Sequence, residues 1–209
     1  MTVDQTFWDK TAPKYARQPI SNMGAYEETL ARTVSYLRPD ARLLELGCGT
    51  GGTALRLAPH VHSIVATDFS AGMIAQAHER PQAGNVSFMQ ADVFSPELEP
   101  GVFDVIVGFN LFHLVEDGPA AYARIHELLS PEGLFISKTP CIGEPSLGWK
   151  FGLLRRAIPL MQLFGKAPFV RYETILQLDH DISRAGFRIV ETGNYPVRPP
   201  NHFVVARKV

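Results

Sequence analysis

Short, nearly continuous apolar runs recur along the chain, separated by stretches in which apolar residues follow a helical period. Runs of this length, several of them rich in Val, Ile and Phe, are typical of buried strands. They predict strands at Leu43–Leu46, Ser63–Thr67, Val86–Gln90, Phe103–Phe109 and Leu134–Ser137. The helical period predicts helices at Tyr26–Leu37, Thr53–Leu57, Ala71–His78 and Pro119–Leu129, the last one ending at a turn over residues 130–133.

Strands that alternate with helices of this length indicate right-handed βαβ units and a parallel sheet that is covered on both faces. Towards the C-terminus, a predicted helix at Thr174–Ala185 is followed by strands at Phe187–Glu191 and His202–Arg207, with no helix between them. Such a pair predicts an antiparallel hairpin. The fold class is therefore α/β: a single Rossmann-like, doubly wound, seven-stranded sheet, mostly parallel, with an antiparallel C-terminal hairpin strand.

The 209 residues, 45% hydrophobic and 20% charged, fit one domain with a substantial core. We divide it into an N-terminal helical lid (1–40), a cofactor-binding core (41–138), a substrate-covering insert (139–172) and a C-terminal helix and strand pair (173–209). The net charge of −1 argues against nucleic-acid binding. We expect a cytoplasmic protein, because the start lacks an apolar leader and no apolar run reaches the roughly 20 residues of a membrane span.

A glycine-dense turn, Gly47-Cys48-Gly49-Thr50-Gly51-Gly52, directly follows the first predicted strand and precedes a helix. Glycines in such a turn let the backbone approach a ligand closely and adopt positive φ angles. Asp68 ends the next strand, 21 residues after Gly47, which is the layout of a nucleotide-type cofactor site. Glu45, just before the turn, would repel a pyrophosphate and attract a cation, which disfavours NAD.

With these features, the sequence resembles the class I S-adenosylmethionine-dependent methyltransferases. The resemblance extends over most of residues 5–138 and is greatest to the small-molecule branch, similar to methyltransferase domains 11 and 25 and to enzymes of ubiquinone and menaquinone biosynthesis. Five ordered segments carry it: LLELGCGTGG, IVATDFSAGMIAQA, MQADVF, FDVIVGFNLFHLV and LLSPEGLFI. It implies S-adenosyl-L-methionine as cofactor and S-adenosyl-L-homocysteine as product.

The resemblance also implies roles for single residues. Asp68 would bind the ribose hydroxyls, Asp92 would lie near the adenine amino group, and Met73 and Val93 would lie beside the ring. Tyr15 is similar to an aromatic lid residue that closes over the cofactor. The complete predicted cofactor-binding set is Tyr15, Glu45, Gly47, Cys48, Gly49, Gly51, Asp68, Phe69, Met73, Asp92, Val93, Phe109 and Asn110.

The residue types alone leave plainer interpretations open. Asp68 and Asp92 could be a helix cap and a turn residue, Met73 could be helix packing, and Tyr15 could dock the N-terminal helix on the core. Cys48 has no basic neighbour in the sequence, so we interpret it as a space-filling residue and not as a nucleophile.

Methyl transfer from a sulfonium requires that the protein exclude water and align the incoming nucleophile. A general base is needed only where the nucleophile carries a proton of high pKa. His113 is the catalytic candidate for that role, with packing in its loop as the alternative. Asn110 would hydrogen-bond the amino-acid part of the cofactor or a substrate. His60 and His62 lack a partner cluster, so we expect no metal site.

The insert is basic and apolar: Pro145 to Tyr172 contains no acidic residue and five basic ones, Lys150, Arg155, Arg156, Lys166 and Arg171. Three interpretations compete. The segment is a lid that packs on the domain, a pocket for an apolar or amphipathic small molecule, or a surface within 147–171 that docks on a membrane or a partner.

The sequence thus predicts a methyltransferase that acts on a small molecule by in-line displacement, with an apolar or amphipathic acceptor as one candidate class. Two other functions stay open: an NAD-dependent oxidoreductase, and a non-catalytic S-adenosylmethionine-binding or membrane-associated protein of the same fold. The acceptor atom is left open, and so is the choice between a monomer and a homodimer.

Overall fold

The sheet of this protein has seven strands, in a computed structural model that describes residues 3–148, 158–159, 161–162 and 167–209. Their order is β3-β2-β1-β4-β5-β7-β6. The strands are β1 (Arg42–Leu46), β2 (Ser63–Asp68), β3 (Val86–Gln90), β4 (Phe103–Phe109), β5 (Leu129–Pro140), β6 (Phe187–Asn194) and β7 (Asn201–Lys208). Strands β1 to β5 pair in parallel, and β7 is antiparallel to both β5 and β6. The predicted fold class is confirmed.

Helices cover both faces of the sheet. They are α1 (Val3–Arg17), α2 (Met23–Val34), α3 (Gly52–Leu57), α4 (Ala71–His78), α5 (Gly118–Leu128) and α6 (Ile175–Arg184), with short 3-10 turns at Ala58–His60, Phe112–Leu114 and Pro145–Leu147. One apolar cluster joins Leu44 to α5 and α6, and a second joins Leu43 to α2 and α3. Because neighbouring residues of β1 face opposite clusters, this central strand is buried on both faces.

Strand β5 differs from its prediction. The segment 130–133, expected to be a turn that ends the preceding helix, lies inside the strand. The pairing register shifts there, since Phe103 pairs with Leu129 whereas Val105 pairs with Leu134. Extra residues on one strand of a pair make a bulge, so the turn-forming residues are accommodated without ending the strand.

The N-terminal helix α1 docks on the start of α4. The Asp9 carboxylate accepts hydrogen bonds from the Ser70 hydroxyl at 2.6 Å and from the Gly72 N–H at 2.9 Å. A Cβ on Gly72 would lie only 2.9 Å from the Asp9 Cα, so glycine permits this close approach. Helix α1 is thereby held beside the carboxyl end of β2, where the sequence predicts the cofactor.

Much of the basic part of the insert, including Lys150, Arg155, Arg156 and Lys166, lies outside the described residues. Among the residues that are described, no helix combines the length and the apolar character that crossing a membrane would demand. The division of the chain into lid, core, insert and C-terminal pair stays a prediction.

Candidate functional site

A cavity of about 350 Å³ lies at the carboxyl ends of β1, β2 and β4. Parallel sheets carry ligand sites at this edge, and the volume is within the range of small-molecule pockets. Ten of the thirteen predicted cofactor residues line it: Tyr15, Gly47, Gly49, Asp68, Phe69, Met73, Asp92, Val93, Phe109 and Asn110. Glu45, Cys48, Gly51 and His113 do not line it. The roles of all fourteen residues stay predictions, but the chain brings most of them together.

The glycine turn has the backbone that its sequence predicts. Gly47, Gly49 and Gly51 have φ angles of +65°, +53° and +76°, a region that side chains disfavour. At Gly51, a Cβ would lie 2.6 Å from the Phe88 ring. A side chain at position 51 would therefore clash with β3. Gly51 packs against this strand and does not line the cavity.

Asp68 ties the glycine turn to the start of α4. Its Oδ2 accepts a hydrogen bond from the Gly49 N–H and its Oδ1 accepts one from the Ser70 N–H, both at 2.9 Å. Burial raises the pKa of this carboxyl, while the two N–H donors act to lower it. A carboxylate has about four acceptor positions, so Asp68 can still accept hydrogen bonds from a diol. The α4 cap is Ser70, whose Oγ accepts from the Met73 N–H at 3.1 Å.

Glu45 is placed differently from the expectation that its charge faces the ligand. The residue is 3% exposed, lies away from the cavity wall, and its Oε2 has no hydrogen-bond partner among the described residues. Burial first, and the Asp68 charge second, raise the pKa of Glu45 to about 8. At pH 7 the side chain is therefore mostly neutral. Burial also raises the pKa of Cys48, which fits a space-filling thiol.

Aromatic residues of α1 cover the glycine turn. Tyr15 lies with its Cε1 3.8 Å from the position of a Cβ on Gly49, and its ring is 6.4 Å from that of Trp8, edge to face. Both residues line the cavity. Because an aromatic face attracts a cation, this cover suits a positively charged ligand.

Asp92 and Met73 combine the cavity wall with local structural roles. The exposed Asp92 accepts a hydrogen bond from the Phe94 N–H at 2.7 Å, so it also organises the turn after β3. Met73 is 2% exposed and packs on the core side of α4. Asp92 is thus a turn residue and Met73 a helix-packing residue, and both also line the cavity.

His113 is held beside the cavity without facing it. Its neighbours Phe112 and Leu114 line the wall, whereas its Nδ1 is buried without a hydrogen-bond partner in the described part of the chain. Burial lowers the pKa of His113 to about 4. Its carbonyl oxygen accepts a hydrogen bond from the Arg171 N–H at 2.7 Å. The imidazole is thus neutral at pH 7 and does not line the cavity.

Most of the apolar wall was not predicted from the sequence. The additional lining residues include Trp8, Phe94, Leu111, Leu114, Val115 and Pro168, together with the acidic Glu116. Leu111, Leu114 and Val115 directly follow the end of β4, which was the available signal. No Lys, Arg or His is among the described lining residues. Within the described ranges, no group of three His, Cys, Asp or Glu side chains could hold a metal ion.

Comparison with known proteins gives one family. The family described as "Methyltransferase domain" matches residues 43–133. A malonyl-[acyl-carrier protein] O-methyltransferase of Geobacter sulfurreducens is 31% identical over 156 residues, which cover 72% of this chain and 57% of that protein. An uncharacterised methyltransferase of Mycobacterium tuberculosis is 32% identical over 91 residues, covering 44% of this chain and 46% of that protein. The chain therefore spans about half the length of these curated relatives.

A solved structure shares the fold over a longer range. The S-adenosylmethionine-dependent methyltransferase from Mesorhizobium loti has a TM-score of 0.69 to this protein at 20% identity, covering 88% of this chain and 98% of that one. The low identity limits this likeness to the fold.

Proposed function

We propose that this protein is a class I S-adenosylmethionine-dependent methyltransferase, in line with the match of residues 43–133 to the methyltransferase domain family and with the Geobacter relative, and that it methylates a small, neutral, apolar acceptor. The charge of the cavity carries the proposal. Its lining carboxyl groups in the described chain are those of Asp68, Asp92 and Glu116, and no basic side chain balances them there. An acidic wall below an aromatic cover attracts a sulfonium cation.

The apolar part of the wall supports the choice of acceptor. Phe94, Leu111, Leu114, Val115 and Pro168 give the cavity a hydrophobic surface, which favours burial of an apolar molecule. A malonyl group, which the Geobacter relative's name specifies, carries a free carboxylate. The described wall offers no basic side chain for such a charge, so we favour a neutral acceptor for this chain.

When bound, S-adenosylmethionine supplies a methyl group on a sulfonium, and its S–C electron pair stays on sulfur as the acceptor's lone pair forms the new bond. The protein's residues bind and orient the two reactants and exclude water from them. Asp68 would accept hydrogen bonds from the ribose hydroxyls, the glycine turn would admit the amino-acid part, and the apolar wall would keep water away from the reacting atoms. Glu116 is the lining carboxyl group that is left for a proton from the nucleophile.

We also favour the lid interpretation of the insert over membrane docking. Pro168 lines the cavity, and its carbonyl oxygen accepts a hydrogen bond from the Gln162 Nε2 at 2.8 Å. The backbone N–H of Arg171 donates a hydrogen bond to the His113 carbonyl. These contacts support a role for the end of the insert in covering the acceptor.

Calorimetry with S-adenosylmethionine and with NADH tests the cofactor. We expect the wild type to bind S-adenosylmethionine and not NADH. Asp68→Asn should weaken binding about tenfold or more, because a buried charge-assisted hydrogen bond is lost. Asp40→Asn is the matched control, since Asp40 is exposed and pairs only with Arg38. Binding of NADH alone would support the oxidoreductase instead.

A transfer assay tests the acceptor. Radiolabelled methyl groups should move to members of a neutral apolar panel and not to their carboxylated analogues. Transfer confined to the carboxylated compounds would contradict the proposed acceptor class. Cofactor binding without transfer to any compound of a broad panel would favour a non-catalytic binding protein.

A further inference from the structure

The amide of Asn110 lies in an unusual backbone position at the cavity wall. Asn110 follows β4 directly and has a φ of +56°, which asparagine tolerates better than most residues. Its backbone N–H donates to the Lys138 carbonyl of β5 at 2.7 Å. The side chain is therefore presented from a fixed backbone.

Asn201, at the start of β7, contacts the oxygen of that amide. Its Nδ2 donates a hydrogen bond to the Asn110 Oδ1 at 2.7 Å. Asn201 is itself held at the hairpin, where its N–H donates to the Pro196 carbonyl at 3.1 Å and its carbonyl accepts from the Tyr195 N–H at 3.0 Å. This hydrogen bond engages the Asn110 oxygen and leaves the Nδ2 end of the amide to donate elsewhere.

The neighbourhood of Asn110 indicates what these N–H groups would bind. The next residue, Leu111, has its Cδ1 2.8 Å from the position of a Cβ on Gly47, so Asn110 flanks the glycine turn. An amino-acid ligand in that turn carries a carboxylate. Since the described wall offers that carboxylate no Lys, Arg or His, its hydrogen bonds have to come from neutral N–H donors.

We propose that Asn201 is a positioning residue, which locks the Asn110 amide so that its N–H groups donate to the carboxylate of the amino-acid part of S-adenosylmethionine and S-adenosylhomocysteine. This inference rests on the proposed function. It gives the C-terminal hairpin, which contributes no side chain to the described cavity wall, a part in cofactor recognition.

Two ligands separate this role from a general structural one. S-adenosylhomocysteine contains the carboxylate, whereas 5′-methylthioadenosine contains the nucleoside and lacks the amino-acid part. In calorimetry, Asn201→Ala should weaken binding of S-adenosylhomocysteine about threefold to tenfold, the usual range for one hydrogen bond. Binding of methylthioadenosine should not change.

Asn201→Asp should weaken the binding of S-adenosylhomocysteine further, because the introduced carboxylate repels the Asn110 oxygen and turns that oxygen towards the ligand. Asn110→Gly removes the amide while it permits the positive φ, and it should give the same ligand-selective loss. Val197→Ala is the matched control in the same hairpin connection, where Val197 is 71% exposed. It should bind both ligands as the wild type does.

An equal loss of both ligands in the Asn201 and Asn110 variants would overturn the inference, and so would unchanged binding of S-adenosylhomocysteine. Failure of the wild type to bind S-adenosylhomocysteine would instead remove the proposed function. The two failures are therefore distinguishable.

Discussion

The carboxyl ends of β1 and β2 and the edge strand β6 both carry acidic side chains, but the two regions compensate them differently. At the ligand edge, burial raises the pKa of Glu45 and of Asp68, and no described cation pairs with either. On β6, Glu191 accepts hydrogen bonds from the Arg32 guanidinium and from the Tyr36 hydroxyl at 2.7 Å. These partners lower the pKa of Glu191.

The difference indicates what each region is built for. An acid paired within the chain stabilises the fold, whereas a buried acid without a cation costs stability in the ligand-free protein. We expect a positively charged ligand to offset this cost at Asp68, which lines the cavity and has no cation among the described residues. The carboxylate of Glu191, by contrast, is already paired within the chain.

The largest expected effect concerns the backbone that forms the ligand edge. Gly51→Ala should destabilise the protein by about 3 kcal/mol or more, since left-handed strain adds to overpacking against Phe88. Thermal unfolding measures the loss. Gly52→Ala is the matched control, because no atom lies within 4 Å of its added Cβ. Equal melting temperatures of the two variants would contradict this account of the turn.

The next effect tests whether Glu45 is uncompensated. Its folded-state pKa of about 8 exceeds the usual 4.5, so the folded protein retains a proton that the unfolded chain releases in this window. Stability therefore falls as the pH rises from about 4.5 to 8. Glu45→Gln should be more stable than the wild type by a few kcal/mol at pH 8, and similar to it near pH 4.5.

Urea unfolding at the two pH values measures this difference. Glu79→Gln, at the exposed end of α4, is the control and should follow the wild type at both. If the free energies of unfolding of Glu45→Gln and the wild type differ by the same amount at both pH values, the charge of the buried Glu45 carboxylate is stabilised by other groups of the protein.

A smaller effect of opposite sign is expected at the hairpin edge. The lowered pKa of Glu191 means that its contribution is present above the unfolded pKa and is lost as the pH falls through the folded one. Glu191→Gln should cost about 1 kcal/mol or less at pH 7, because the pair with Arg32 is partly exposed and screened. The cost should vanish in acid and shrink in 1 M salt. A cost that persists at pH 3 would argue for a packing effect.

The smallest effect is expected at His113, which lies between the two regions. General-base catalysis by His113 would give a break in the rate profile at the pKa of its imidazole. Because His113 does not line the cavity, we expect no break in the rate profile at its pKa of about 4, and His113→Asn should turn over within about twofold of the wild type. A hundredfold loss with unchanged cofactor affinity would restore the base hypothesis.

The order of the elements could be predicted from the sequence because apolar runs and glycines are local signals. Strand β3 and helix α4 have the predicted bounds, Val86–Gln90 and Ala71–His78. The orientation of Glu45 could not be predicted. Every residue of β1 after Arg42 is buried, so no alternation of polar and apolar residues shows which face a side chain takes.

Long-range contacts were also beyond the sequence. Asn110 and Asn201 are 91 positions apart, and nothing near Asn201 marks it as part of a ligand site. Their contact depends on β7 lying antiparallel beside β5. Similarly, Arg171 reaches the His113 carbonyl only because the end of the insert returns past the cavity.

The strand order also bears on how the protein assembles during synthesis. Strand β7 lies between β5 and β6, so β6 emerges from the ribosome before the only neighbour it has in the described sheet. The glycine turn and Asp68 belong to strands that can pair earlier. A nascent chain can therefore complete the part of the cavity formed by the glycine turn and Asp68 first, while the asparagine pair has to wait until β7 inserts and closes the sheet.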